Sequence, residues 1–289
     1  MRPPPSSSRP VLTPLLDGLT FTEGPRWHDG RLWFSDFYTQ RVLATTPDGK
    51  VETIVEVPSR PSGLGWLPDG TLLVVSMLDR RLLRVEGGAP RPHADLSAIA
   101  TAPCNDMVVD ARGRAYVGNF GFDRHRGEPP RAAALARVDP DGAVTRAAED
   151  LEFPNGTVIT PDGGTLVVAE TMGQRLTAFD VAADGALGRR RVWATLDGVF
   201  PDGICLDADG AIWVSDARGP DLLRVREGGA IERRIPTGPG RHAFACMLGG
   251  ADRRTLYVCT CTGSGPAMAD KRDGRIETVR VDVPGAGLP

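Results

Sequence analysis

The chain has 289 residues, of which 41% are hydrophobic, so it is long enough to bury a substantial core. No stretch approaches the roughly 20 apolar residues that a membrane span needs. The formal net charge of -3 offers no basic surface of the kind that nucleic-acid binding requires. We therefore expect a globular protein of the cytoplasm that binds neither nucleic acid nor a membrane.

The first ten residues are rich in Pro and Ser and lack an apolar segment, so residues 1–10 are predicted to be a disordered tail and not a signal peptide. Residues 11–289 contain no linker-like stretch and are interpreted as one domain. Five cysteines scattered over this length favour reduced thiols over a disulfide framework. Cys259 and Cys261 would share one face of a strand, where packing is a simpler role than metal or redox chemistry.

Six segments in chain order each consist of an apolar run, a turn and a second apolar run. They are residues 24–36, 63–76, 106–119, 156–170, 203–216 and 246–259. Their turns lie at Gly30, Gly70, Gly113, Gly163, Gly210 and Arg253. A period of about 40 to 50 residues is typical of β-propellers, and a regular phase over six units is not explained by an open β-sandwich. Each segment is predicted to be a β-hairpin.

Further pairs of short apolar runs lie between these hairpins, for example residues 41–44 with 51–55 and residues 222–225 with 230–233. Two hairpins per repeat make a four-stranded blade, so the predicted fold is all-β, a six-bladed β-propeller with four-stranded blades. Residues 11–21 and 274–282 are each long enough for an edge strand. Pairing these two ends within one blade would close the ring and remove an exposed edge.

One position of the repeat should surround the central channel, because the innermost strand of every blade starts near the propeller axis. Seven or eight residues before each turn, this position holds Glu23, Ser62, Asn105, Asn155, Asp202 and Ala245. The Asn-Gly pair at 155–156 and the Asp-Gly pair at 202–203 could instead be ordinary hairpin turns. The phase argues against turns, since each pair precedes an apolar strand that has its own turn eight residues later.

Two carboxylates and two carboxamides that converge in a channel would be costly to bury without a cation between them. Glu23 and Asp202 would balance the charge of a divalent ion, while Asn105 and Asn155 would add neutral oxygen ligands. Hard oxygen ligands suit Ca²⁺, Mg²⁺ or Mn²⁺, and the mixed set best fits the flexible coordination shell of Ca²⁺. The expected cofactor is one divalent ion, Ca²⁺ before Mg²⁺, Mn²⁺ or Zn²⁺.

Five motifs in this order resemble those of the SMP-30/gluconolactonase/luciferin-regenerating-enzyme (LRE)-like family. They are Glu23-Gly24-Pro25, Asn105-Asp106, Pro154-Asn155-Gly156, Pro201-Asp202-Gly203 and the closing segment 249–258. The resemblance extends from about residue 11 to about residue 283. It implies a six-bladed propeller with a central divalent metal and, as in many members, hydrolysis of sugar lactones. It further implies direct metal ligation by Glu23, Asn155 and Asp202, a contact from Asn105 to metal or substrate, and Asp202 as catalytic base.

One position departs from this pattern. Two residues before Asn105, sugar-lactone members similar to the animal proteins carry an Arg that binds substrate, whereas this chain has Pro103.

The segment 119–126 would lie near the channel mouth, where Phe120 and Phe122 stand beside arginines. An apolar wall with cationic groups favours an acyl, aromatic or carboxylated substrate over a bare sugar, although an ordinary solvated loop explains the pattern equally well. The residues predicted to contact substrate are Asn105, Asn119, Phe120, Phe122, Arg124 and His242.

The predicted function is a metal-dependent hydrolase that opens a lactone less polar than a sugar lactone. Lewis-acid activation of the carbonyl would be combined with attack by water, assisted by Asp202 or, alternatively, Glu23. Two other functions stay open, namely a phosphotriesterase-type hydrolase that uses the same metal site and a non-enzymatic calcium-binding or ligand-binding propeller. A serine hydrolase is disfavoured, because no Gly-x-Ser-x-Gly motif occurs.

Overall fold

The computed structural model describes residues 11–123 and 126–287. These residues form six antiparallel sheets of four strands each, arranged as a six-bladed β-propeller, which confirms the predicted fold class. The predicted tail at residues 1–10 lies outside the described residues. Within the described ranges, no helix is long and apolar enough to cross a membrane.

The strands are numbered in chain order, and β1 (Thr13–Leu19) precedes the first blade. Blade 1 contains β2 (Thr22–His28), β3 (Arg31–Asp36), β4 (Arg41–Thr45) and β5 (Val51–Glu56). Blade 2 contains β6 (Pro61–Trp66), β7 (Leu72–Ser76), β8 (Arg81–Glu86) and β9 (Ala89–Asp95). Blade 3 contains β10 (Cys104–Val109), β11 (Ala115–Asn119), β12 (Ala133–Val138) and β13 (Val144–Leu151).

The second half of the chain follows the same plan. Blade 4 contains β14 (Pro154–Ile159), β15 (Thr165–Glu170), β16 (Arg175–Val181) and β17 (Leu187–Thr195). Blade 5 contains β18 (Pro201–Leu206), β19 (Ile212–Asp216), β20 (Asp221–Val225) and β21 (Ile231–Pro236). Blade 6 contains β22 (His242–Gly249), β23 (Thr255–Cys261), β24 (Gly274–Arg280) and the N-terminal β1, with the short helix α1 (Met268–Lys271) between β23 and β24.

The turn predicted between the first two strands of each blade is present in all six. Each of the six turn residues has a positive φ, between 56° and 84°. Glycine adopts this left-handed conformation without steric cost, and it occupies the position in five blades. Arg253 holds the same conformation with φ 56°, which explains how the sixth repeat keeps its phase without a glycine.

The ring closes as predicted, because β1 pairs with β24 as the outermost strand of blade 6. Thr13 lies opposite Thr278, and Leu19 lies opposite Gly274. The inner strands β2, β6, β10, β14, β18 and β22 contact one another in this order, and β22 contacts β2. The core lies between blades, as in the cluster of Trp33, Val42, Leu64 and Val74 that joins blades 1 and 2.

Candidate metal centre

The predicted ring position is the second residue of the inner strand in five of the six blades. These residues are Glu23, Ser62, Asn105, Asn155 and Asp202, and Ala245 is the fourth residue of β22. In blades 1 to 5, strand pairing is irregular immediately after the strand start, as between Glu23 and Arg26 or between Pro154 and Thr157. A bulge turns a side chain away from the regular alternation of a strand, so the same local defect recurs where the ring residues lie.

The Asn-Gly and Asp-Gly pairs belong to strands and not to turns. Asn155 and Gly156 lie in β14, and Asp202 and Gly203 lie in β18. A Cβ added to Gly156 would lie 2.5 Å from the backbone nitrogen of Ile204, so the inner strands of blades 4 and 5 approach too closely for a side chain there. Close contact between blades, and not turn geometry, therefore accounts for these glycines.

One cavity brings four of the ring residues together. Its volume is about 860 Å³, including the part open to solvent, and its lining includes Glu23, Asn105, Asn155 and Asp202. These side chains come from blades 1, 3, 4 and 5, and all four are buried. The residues that the sequence predicts as ligands therefore share one site at the centre of the ring.

The carboxamide of Asn155 is oriented by a chain of hydrogen bonds. The Oγ1 hydroxyl of Thr171 donates to the carbonyl oxygen of Pro201 at 2.7 Å, so it can only accept from Asn155 Nδ2, which lies 3.1 Å away. This arrangement assigns nitrogen to one side of the amide and oxygen to the other. Asn155 Oδ1 is buried and has no hydrogen-bond partner within residues 11–123 and 126–287. A buried oxygen in this state is what a metal ligand requires.

The carboxamide of Asn105 is also oriented through its nitrogen, although by a longer hydrogen bond. Its Nδ2 donates to the carbonyl oxygen of Pro154 in the neighbouring blade, at 3.4 Å. The amide nitrogen is thus directed to backbone, and the carboxamide oxygen is the group available to a cation. Asn105 and Asn155 can therefore supply two neutral oxygens to one site.

The electrostatics of the site favour a bound cation. Burial raises the pKa of Glu23 well above its ordinary value, and the nearby charges of Asp202 and Asp106 raise it further. The backbone N–H of Gly24, which donates to Glu23 Oε2 at 3.3 Å, and the charge of Arg26 lower this pKa in part. A divalent ion between Glu23 and Asp202 would remove the repulsion between their carboxylates.

A buried ion pair lies next to the ring. Arg26 in β2 donates to Asp106 in β10 at 2.8 Å, and neither side chain is more than 7% exposed. The pair connects blades 1 and 3 past Gly63 of blade 2, where an added Cβ would lie 2.5 Å from the backbone nitrogen of Met107. Asp106 thus neutralises Arg26, which leaves Glu23 and Asp202 for an external cation.

The donor set selects the kind of ion. No group of three or more His, Cys, Asp and Glu side chains that could hold a metal occurs in the described ranges. A site here consequently depends on two carboxylates and two carboxamides. All four offer oxygen, which suits Ca²⁺ or Mg²⁺ better than Zn²⁺.

Much of the cavity wall above these residues is apolar. The lining side chains without charge or hydrogen-bonding groups include Phe21, Phe37, Met77, Phe120, Phe153, Met172 and Phe244. Phe120 and Phe153 stack with ring centroids 4.4 Å apart, and Phe21 packs edge to face on Phe244. This aromatic cluster offers a nonpolar surface on which a ligand can pack.

Comparison with known proteins supports the architecture. The SMP-30/Gluconolactonase/LRE-like region matches residues 21–262. The chain belongs to this family. Pentonolactonase XacC of Haloferax volcanii is 28% identical over 278 residues, with 92% of both chains covered. A luciferin-regenerating enzyme superposes with a TM-score of 0.82 at 19% identity, over 96% of this chain and 97% of that chain. The gluconolactonase XC5397 of Xanthomonas campestris has a TM-score of 0.74 at 26% identity, over 100% of this chain and 99% of that chain.

In this member of the SMP-30/gluconolactonase family, some of the predicted substrate contacts lie in the cavity and others do not. Phe120 lines the cavity, as does Pro103. Phe122 lies behind Phe153, with ring centroids 5.9 Å apart, and outside the lining. Asn119 also lies outside the lining, since its Nδ2 donates to the carbonyl oxygen of Ala134 at 2.7 Å.

Of the last two predicted substrate contacts, His242 and Arg124, the structure describes only His242. His242 lies at the start of β22 with Nδ1 2.9 Å from the carbonyl oxygen of Gly219, outside the lining of the cavity. Arg124 lies outside the described residues. Its neighbour Arg126 has a side chain 83% exposed and lies 3.5 Å from Asp123.

Four lining residues of this family member, Phe37, Met77, Thr171 and Ala217, were not predicted from the sequence, although they obey the repeat together with Phe120, which was predicted. They directly follow the second strand of a blade, and each donates its backbone N–H to the carbonyl of the residue before the inner strand. The pairs are Phe37 with Phe21, Met77 with Arg60, Phe120 with Pro103, Thr171 with Phe153 and Ala217 with Phe200, at 2.9 to 3.1 Å. Counting one residue beyond the second apolar run of each repeat would have found this rim.

Proposed function

We propose that this protein is a metal-dependent lactonase whose substrate is less polar than a sugar lactone. The observation that carries the proposal is the convergence of Glu23, Asn105, Asn155 and Asp202 beneath the apolar walls of one cavity. Relatives named as a pentonolactonase and a gluconolactonase support the reaction type.

Glu23, Asn155 and Asp202 would hold the ion, with Asn105 as a further oxygen donor. The two carboxylates match the charge of a divalent cation, and Ca²⁺ suits a mixed set of carboxylate and carboxamide oxygens. When bound, such an ion supplies Lewis-acid polarisation of the lactone carbonyl.

The remaining chemistry belongs to the side chains. Asp202 accepts a proton from water as the water oxygen forms a bond to the carbonyl carbon. The ring C–O bond then breaks, and the proton passes from Asp202 to the leaving alkoxide, which yields a hydroxy acid. General-base assistance of this kind contributes about 10² to 10⁴ in rate. Glu23 is the alternative base, because it lies in the same cavity.

The walls set the polarity of the substrate. A polyhydroxylated sugar ring would place hydroxyl groups against Phe120, Phe153 and Phe244, where they would lose hydrogen bonds to water. Pro103 contributes no side-chain donor at the position where the resemblance to sugar-lactone members similar to the animal proteins implies an arginine. An aliphatic or aromatic lactone would bury its apolar surface on the same rings.

The test is a panel of aliphatic, aromatic and sugar lactones assayed by proton release. The protein is first stripped with chelator, and Ca²⁺, Mg²⁺, Mn²⁺ or Zn²⁺ is then restored separately. We expect no turnover without metal, recovery with Ca²⁺, and a higher kcat/KM for an aliphatic or aromatic lactone than for glucono-1,5-lactone. Full activity of protein verified to be metal-free would refute the metal-dependent mechanism, and failure to open any lactone would refute the activity.

A matched pair of variants ties activity to the ring. Asn155→Ala removes an oxygen that faces the cavity, whereas Ser62→Ala alters the same repeat position in a blade that does not contribute this residue to the lining. We expect the first variant to require more metal for activity and the second to behave like the parent protein. Equal metal requirements in both variants would contradict the assigned ligand set.

A further inference from the structure

We propose that the lactone substrate carries a carboxylate, which Arg60 and Arg218 bind at the mouth of the cavity. This inference rests on the proposed function and adds a charge to the substrate, whose body is apolar. Both arginines line the cavity that contains the ring carboxylates. Neither was identified from the sequence, in which the arginines of segment 119–126 were the candidate cations.

Arg60 is held in place without using its hydrogen-bond donors. It directly precedes β6, and its carbonyl oxygen accepts the backbone N–H of Met77 at 2.9 Å. Its guanidinium carbon lies 4.8 Å from the centroid of the Tyr38 ring. Stacking on an aromatic face orients a guanidinium group while its N–H donors remain available to a carboxylate.

Arg218 repeats this arrangement in another blade. It lies two residues after β19, and its guanidinium carbon is 4.1 Å from the centroid of the Phe200 ring. Blades 2 and 5 are three positions apart in a ring of six, so the two arginines flank the cavity from opposite sides. A substrate whose lactone ring lies at the axis can therefore place its carboxylate at the mouth between the two guanidinium groups.

Both arginines line the cavity without a carboxylate partner among the described residues. In the part of the chain that the structure describes, neither forms an ion pair with a carboxylate within 4.0 Å, whereas Arg26 and Arg224 pair with Asp106 and Asp207 at 2.8 and 2.7 Å. Unpaired guanidinium groups beside an apolar cavity are suited to an anionic ligand, because an Arg–carboxylate hydrogen bond is charge-assisted and can be bidentate.

The charge balance of the cavity agrees with an anionic substrate. Among the described lining residues, Glu23 and Asp202 are the carboxylates, and a divalent ion would balance both. The charge that remains is positive and comes from Arg60 and Arg218. A carboxylate on the substrate would then gain attraction at the mouth without meeting uncompensated negative charge at the floor.

Two lactones with the same ring and side-chain length test the inference, one ending in a carboxylate and the other in a carboxamide. The parent protein should prefer the carboxylate, and Arg60→Gln and Arg218→Gln should each lower its kcat/KM by about tenfold or more, mainly through KM. The carboxamide lactone should be affected by less than about twofold. Arg84→Gln is the control, since Arg84 belongs to blade 2 but pairs with Glu86 at 3.1 Å, outside the cavity.

Equal kcat/KM for the two lactones in the parent protein, or equal losses on both in the arginine variants, would overturn the inference while the lactonase activity stands. Binding of the matching cyclic ethers, which lack the carbonyl and are not hydrolysed, gives a second measurement that does not depend on turnover. The metal-loaded protein should bind the carboxylate ether more tightly than the carboxamide ether, and Arg60→Gln/Arg218→Gln should remove the difference. No difference in the parent protein would overturn the inference, whereas a difference without any lactone hydrolysis would support it and refute the proposed function.

Discussion

The hydroxyl of Thr171 lies 3.1 Å from Asn155 Nδ2 and 2.7 Å from the carbonyl oxygen of Pro201. One side chain thus connects the amide of a ring residue in blade 4 with the backbone directly before Asp202 in blade 5. The donor and acceptor directions are fixed along this chain, because a hydroxyl has one hydrogen and Pro201 offers only an acceptor. Thr171 is therefore a positioning residue for Asn155 and does not itself need to touch the metal.

Thr171→Val should weaken metal binding while the fold is preserved. Valine keeps the shape of threonine but cannot accept from Asn155 Nδ2, so the amide loses the contact that orients its oxygen. Partners of metal ligands commonly contribute 10- to 100-fold in affinity. Titration calorimetry of chelator-treated protein with Ca²⁺ measures the change. Thr171→Ser retains the hydroxyl and should restore most of the affinity, whereas an unchanged Kd for the valine variant would contradict the positioning role.

Asp202→Asn should reduce kcat more than metal affinity. The substitution retains one oxygen ligand and removes the charge and the proton acceptor, so the loss should be at least about 10² at saturating metal. Asn155→Ala should show the reverse, with activity partly recovered at high metal concentration. Steady-state kinetics over a range of metal concentrations separates the two effects. Near-parental kcat for Asp202→Asn would exclude Asp202 as the base and favour Glu23.

Glu23→Gln should stabilise the metal-free protein and destabilise the metal-loaded protein relative to the parent. In excess chelator, the variant lacks a buried carboxylate that faces the charges of Asp202 and Asp106. A gain of about 1 kcal/mol would raise Tm by about 2 °C for a chain of this size. With Ca²⁺ at 100 times the parental Kd, the parent gains about 2.7 kcal/mol from binding and the order should reverse. Thermal denaturation at a single neutral pH shows which protein has the higher Tm in chelator and which has the higher Tm in Ca²⁺. A lower Tm for the variant in chelator would disprove the repulsion between Glu23 and the neighbouring carboxylates.

Asp106→Ala should lower stability by about 3–5 kcal/mol, because it leaves the charge of Arg26 buried without its partner. The double variant Arg26→Met/Asp106→Leu removes both charges and should recover much of this loss. Guanidinium denaturation of the three proteins gives the comparison. A double variant as unstable as the single one would show that the pair acts through its contacts to backbone, such as Arg26 Nη2 to the carbonyl oxygen of Met107.

The five cysteines should not react with a thiol reagent at pH 8 in the folded protein. All are free and buried, and burial raises the pKa of Cys104 and Cys205 to about 12. A raised pKa means that the reactive thiolate is scarce below that pH. Five thiols should become reactive in denaturant. Fast modification of a folded-state cysteine would argue against the packing role that we assign to Cys259 and Cys261.

The sequence was sufficient to predict which residues share the cavity, because the ring position has nearly the same spacing from the turn in every repeat. Glu23, Asn155 and Asp202 lie seven or eight residues before a turn, and the paired strands of each blade bring these positions to the same end of the inner strand. The same reasoning placed His242 three residues before Ala245 and therefore near the site. The structure instead starts β22 at His242 and interrupts its pairing between Ala243 and Ala245, an irregularity that spacing alone does not reveal.

The rim was less accessible to sequence reasoning, because its members share a position but no chemical type. Phe37, Met77 and Thr171 each follow a second strand, and their side chains are aromatic, aliphatic and polar. Arg60 was missed for a related reason, since it lies in a connecting segment before β6 that carries no periodic signal. Only the packing of blades around the axis shows that these side chains face one cavity.

The pairing of Thr13 with Thr278 has a consequence for biosynthesis. The strand that completes blade 6 is made before the other strands of the propeller, and its partner β24 is made after them, so this sheet cannot form until the rest of the propeller has been synthesised. Contacts of such long sequence separation form slowly. Newly made chains thus pass through a period in which five blades are available and the edges of β1 and β24 are still unpaired, and that interval is the time of greatest exposure to misassociation and to chaperones.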